Sequence, residues 1–205
     1  MPFGNPPGPI GAAKSVFNID DGTLVLTQSP IPGSVGLQAK EGGAKAAPVA
    51  LGDTVAGFAR GRTGQRVGAG ECFDLADQAL RSAGAKSAAD FGQVVPNADY
   101  QWGAHVNLAE LRPGDIIQFS GYRYDRKIET DTAMDSDFQE RPHHTAIVDH
   151  VDGNGAVTVL EQNAPEGSGV HGSQLFFAAS STDSGGRKIT ITVHGQFWFY
   201  RPQAR

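Results

Sequence analysis

Two hydrophobic rhythms divide the chain. Between residues 72 and 83 the apolar positions Cys72, Leu75, Ala76, Ala79, Leu80 and Ala83 recur at i, i+3, i+4, i+7, i+8 and i+11. That spacing draws one stripe along a helix. Asp74, Asp77, Gln78 and Arg81 take the wet side, and Gly84 is a natural stop. A shorter helix is predicted from Asp53, as N-cap, to about Gly61. From Leu111 onwards the rhythm shortens. "RPGDIIQF", "HTAIVDHV", "GAVTVLEQ", "KITITVHG" and "GQFWFYRP" are rich in β-branched and aromatic residues and divided by turns containing glycine. Each reads as a strand, and "VDGNGAV" reads as a hairpin loop. Helices first and an antiparallel sheet afterwards give an α+β fold.

The remaining stretches are less regular. Residues 1–14 are mostly Pro, Gly and Ala and read as a tail, and residues 16–27 as a hairpin turning at Asp20, Asp21 and Gly22. Residues 31–50 have the Gly, Ala and Pro content of a linker or wrapping arm. Residues 1–50 are thus expected to be tail, hairpin and arm, with one domain over residues 51–205. Between Tyr122 and Pro142 the chain is strongly polar and is expected to form an exposed loop.

Composition narrows the function. With 205 residues, 39% hydrophobic and 19% charged, the chain has enough apolar material for one medium domain with a proper core. A net charge of −5 without a Lys/Arg cluster argues against nucleic acid as a partner. No apolar run is long enough to span a bilayer, so no membrane is expected. Pro and Gly stand near the start where an export signal would be apolar, which makes the cytoplasm the default location.

The lone cysteine, Cys72, follows "GAGE" at the mouth of the longer helix. Buried cysteines commonly serve as small apolar side chains. In a first helical turn, however, free backbone N–H groups and the positive end of the dipole favour a thiolate. A nucleophilic thiol needs a base, and the base needs an orienting group. Of six histidines, His144 opens the strand "HTAIVDHV", and Glu161 and Asn163 end the next strand in "LEQN". Counted outward from the "DGNG" turn, His144 and Glu161 are opposed or nearly so, which suits a group that fixes an imidazole tautomer. His143 is the rival base. His143, His144 and His150 with Asp149 lack the spacing of a zinc site, having neither a helical HxxxH nor a CxxC pair. Glu129, Asp131, Asp135 and Asp137 lack the Gly and terminal Glu of a calcium loop. No metal and no cofactor are expected.

In order, "GAGECFDLADQAL", "YQWG", "LRPGDIIQF" and "HTAIVDHVDGNGAVTVLEQN" resemble the segments of CHAP-type cysteine amidases and NlpC-type peptidases of the papain-like superfamily. The likeness covers about residues 65 to 201. It implies a papain-like fold, a cysteine-bearing helix packed on an antiparallel sheet. It also implies Cys72 as nucleophile, His144 as general base, and Glu161, Asn163 or both as orienting groups. The substrate it implies is a peptide or amide bond, commonly in peptidoglycan. Beside the Cys72 N–H, Gln65 and the run Tyr100, Gln101, Trp102 are candidates for a second oxyanion donor. Tyr100 and Trp102 could equally line a substrate groove or pack in the core. No wall-binding repeat accompanies these segments, and residues 1–60 have no counterpart in the family. Two alternatives keep the fold: a silent peptide-binding or scaffolding module, and an acyltransferase or deamidase using the same triad.

Overall fold

The computed structural model describes residues 50–96, 98–153 and 155–205. The expected hairpin at 16–27, and the arm up to residue 49, lie outside the described residues.

Helix α1 (Leu51–Arg60) buries Val55, Ala56 and Ala59. Its N-cap is Ala50 rather than Asp53, which stands in the first turn, where its charge suits the helix dipole. Helix α2 (Cys72–Ser82) follows the expected stripe, with Leu75, Ala76, Ala79 and Leu80 buried. Gly84, at a φ of 73°, ends it. Short 3-10 turns occupy Ala88–Asp90 and Leu108–Glu110.

The strands are β1 (Ala104–Val106), β2 (Ile116–Thr130), β3 (Met134–Gly153), β4 (Ala156–Glu161), β5 (His171–Phe176), β6 (Ser180–Ser184) and β7 (Arg187–Arg201). They form one antiparallel sheet in the order β1-β7-β2-β3-β4-β5, and β6 shares the outer edge of β7 with β1. The segments "KITITVHG" and "GQFWFYRP" are not two strands but one, β7, bent at Gly195. Gly195 and Gly121 both have positive φ, and a side chain on Gly195 would run into the Gly121 carbonyl. The β2–β7 register shifts there, between Ser120 and Arg123.

The polar stretch from Tyr122 to Pro142 is not a loop. β2 and β3 stay paired from Ile116–Ile147 out to Glu129–Met134, so the insert is the far half of a long hairpin. Its residues are charged on both faces, and without an apolar alternation the strand pattern is hidden.

Two cores lie on the two faces of the sheet. On one, α1 and α2 bury Val55, Leu75 and Leu80 against Trp102, Ile116, Ile147 and Leu160. On the other, Ile117, Phe119, Tyr122, Val159, Leu175, Phe177 and Phe199 pack together. Phe177, just after β5, meets Phe197 of β7 with ring centroids 5.1 Å apart. Four strand spacings separate β5 from β7, about 19 Å in a flat sheet, so the sheet is rolled around its aromatic core. With two helices on one face of a rolled sheet, the fold is mostly β. The expected helix-on-sheet packing is present, but the α+β label overstates the helical share.

Candidate active site

The local chain explains how the thiol is presented. Gly68 and Gly70 have φ of 61° and 98°, so the backbone folds back just before α2. A side chain on Gly68 would collide with Asp74. Asp74 instead accepts hydrogen bonds from the N–H groups of Ala69 (2.8 Å) and Glu71 (3.2 Å). Cys72 is therefore the first residue of α2, half-buried, at the helix's positive end.

His144 comes from β3. The β3–β4 pairing begins only at Ile147–Leu160, and β4 ends at Glu161, diagonal to His144 on the same face. Nε2 of His144 lies 2.9 Å from Oε2 of Glu161. The approach is off the N–H axis, since Nε2 makes no aligned hydrogen bond. The Cys72 thiol stands beside the same imidazole, and the backbone N–H groups of Thr145 and Phe73 also act on the sulfur. His144 is 5% exposed and Glu161 is fully buried.

The electrostatics follow from that packing. Burial pushes the Cys72 thiol up, but the hydrogen bond and charge of His144 and the two backbone N–H groups outweigh it, leaving the thiol below its ordinary value. Burial alone would lower His144, yet Cys72 and Glu161 raise it to about 9. Burial likewise opposes the Glu161 carboxylate, but His144 and Arg141 hold it down at about 2. The arrangement favours a thiolate beside an imidazolium, with a carboxylate behind.

Not every expected residue joins this group. The Asn163 carboxamide is engaged elsewhere: Nδ2 donates to Glu71 (3.0 Å), and Oδ1 accepts from the Gly167 N–H (2.7 Å). It does not orient His144, because β4 ends before it and Asn163 turns with a φ of 63°. His143 faces the other way, with Nε2 2.9 Å from the Ala98 carbonyl and 3.4 Å from Asp99. Trp102 is fully buried and donates to Gln118 (3.0 Å), which makes it core rather than groove. Its indole therefore offers no oxyanion donor. Gln101 is exposed and donates to the Gly103 carbonyl (3.1 Å). The exposed Gln65 accepts weakly from Arg62 (3.5 Å). Tyr100, half-buried, forms an edge contact with Phe73, the residue after the thiol, at 5.1 Å. His150 pairs with Asp149 and Asp152, and no group of three metal-ligating side chains occurs among the described residues.

Two further side chains packed around this group carry no signal in sequence. Arg141 sits 7% exposed and donates through Nε to Oε2 of Glu161 (2.8 Å) and through Nη2 to Oε1. Gln162, fully buried, accepts from the Val67 N–H (2.9 Å) and donates to the carbonyls of Val67 (3.0 Å) and Glu71 (2.6 Å). It ties the loop carrying the thiol to the strand end carrying the carboxylate.

A family model described as the AIM3/BBC1 cysteine proteinase-fold domain matches residues 44–204. The match supports the papain-like fold without singling out the CHAP or NlpC type. No curated protein and no solved structure matches the chain.

Proposed function

The chain belongs to the AIM3/BBC1 cysteine proteinase-fold family, and on that premise we propose that it is a thiol-dependent amidase or peptidase. One observation carries the reading: Cys72, His144 and Glu161 converge, with the thiol beside an imidazole that has a buried carboxylate 2.9 Å behind it. The Cys72 thiolate attacks the carbonyl carbon of an amide, and the negative charge moves to the oxygen, beside the helix N-terminus. His144 gives its proton to the leaving amine as the C–N bond breaks. Neutral His144 then takes a proton from water, whose oxygen attacks the thioester carbonyl and releases the acid and the thiolate. Glu161 holds the ring throughout. The CHAP-type reading stands as the finer form of this proposal. A peptide amide is the substrate class, and the family match gives no preference to cell-wall peptides. Residues 51–205 form the catalytic domain in this reading.

One observation favours the silent module. A cavity of about 330 Å³ lined by Leu51, Asp53, Arg112, Asp115, Arg201 and Pro202 lies apart from Cys72. Iodoacetamide labelling separates the two. A catalytic thiol reacts fast below pH 7 and is slowed by His144→Ala, whereas a silent one is sluggish in both proteins. Slow labelling unchanged by His144→Ala would sink the enzyme reading. Release of an amide product instead of an acid when an amine is added would assign acyl transfer.

A further inference from the structure

We propose that Arg141 is a positioning residue of the thiol site, acting through Glu161, whose carboxylate its guanidinium fork holds charged and aimed at His144. The inference deepens the function proposed above and rests on it.

Arg141 precedes His144 by three residues on β3, and both of its contacts with Glu161 are made below the surface. Oε2 of Glu161 is shared between Nε of Arg141 at 2.8 Å and Nε2 of His144 at 2.9 Å, while Oε1 is taken by Nη2 of Arg141. The guanidinium is anchored in turn: Nη1 donates to the Glu140 carbonyl (2.7 Å) and Nη2 to Oε1 of Gln139 (3.1 Å). A bidentate fork fixes the plane of a carboxylate, which a point charge does not. Buried ion pairs are costly to desolvate, and apolar residues of similar size often stabilise as well. The pair therefore calls for a reason beyond stability, and the imidazole sharing its oxygen supplies one.

The groups facing this carboxylate come from every strand around it. Tyr122 faces it from β2. Arg141 and His144 belong to β3, and His171 of β5 brings Nε2 to 3.9 Å from Oε1. With Cys72 at the tip of α2, the charges alternate as thiolate, imidazolium, carboxylate and guanidinium. Removing the last leaves a fully buried carboxylate with an off-axis contact at His144 and only the more distant His171 besides. Such a group favours its neutral form, and a neutral carboxyl gives the imidazolium no counter-charge. The thiolate then forms only at higher pH.

The test reads the pH dependence of Cys72 alkylation by iodoacetamide, which requires no substrate. Arg141→Gln is expected to move the inflection upward by about one pH unit or more. Arg141→Lys, which keeps the charge and loses the fork, restores part of that shift. In a Glu161→Gln background Arg141→Gln adds no further shift, because the two act in series. An unchanged inflection in Arg141→Gln, or an equal shift in both backgrounds, overturns the inference. Should Arg141→Gln fail to fold, Arg141→Lys decides, and an inflection identical to the parent's overturns it. A parent thiol inert across the whole range would overturn the triad and this inference together; a reactive thiol indifferent to Arg141 overturns this inference alone.

Discussion

β2 and β3 run unbroken through two regions that are held together differently. Near the helices they lie between two cores, and the charged groups there are buried: His144 of β3, Arg141 at the boundary with the far half, and Glu161 at the end of the neighbouring β4. Beyond the Tyr122–Arg141 pair the same strands carry ion pairs in the open. Arg126 pairs with Asp137, Lys127 with Glu129, and Arg123 with Asp125, each side chain more than a third exposed. Arg123 also lies over the Phe138 ring at 3.9 Å. Exposed pairs contribute about 0–1 kcal/mol each, whereas breaking a buried pair costs about 3–5 kcal/mol because one charge is left stranded. A salt bridge in the far hairpin therefore tunes a strand that its backbone ladder already holds. In the near half it decides whether the site exists.

That contrast can be broken at several points. Glu161→Ala is expected to lose about 3–5 kcal/mol in urea denaturation, since it strands both Arg141 and His144. A loss below about 1 kcal/mol would erase the distinction between the halves. Trp102→Ala should cost about 3 kcal/mol or more, as for any large buried aromatic, with Cys72 labelling retained in the folded fraction. Gln162→Ala should cost about 1–3 kcal/mol by leaving the buried Val67 N–H without a partner, and should slow Cys72 alkylation as well. Stability should also depend on pH through the near half. His144 rises from 6.5 to about 9, so its contribution is complete below about pH 6.5 and is lost as pH climbs through 9. Glu161 falls from 4.5 to about 2, so its contribution is complete above about pH 4.5 and is lost as pH drops through 2. Thermal melts from pH 2 to 10 check both limbs. The smallest effect belongs to the far hairpin. Asp137→Ala should change stability by less than about 1 kcal/mol, fade with added salt, and leave thiol reactivity untouched.

How much the sequence disclosed differs between these halves for a physical reason. The helix of Cys72 and the strands of His144 and Glu161 each have an apolar face, and a turn rich in glycine ties their register to arithmetic. The pairing Ile147–Leu160 brings Glu161 to within one diagonal of the expected place. The far hairpin has charge on both faces, so periodicity had nothing to report. Asn163 misled because "LEQN" offers two polar groups in the right phase. Only the end of β4 decides that the second turns away. Arg141 and Gln162 have no local mark at all. Each matters through a partner 20 or 95 positions distant.

The side chain of Gln162 has one more effect. Its three hydrogen bonds splice two chain segments, distant in sequence, into a single rigid seam. Under the proposed function, sulfur and imidazole are thus juxtaposed before a substrate arrives, and an encounter spends no further conformational freedom on bringing them together.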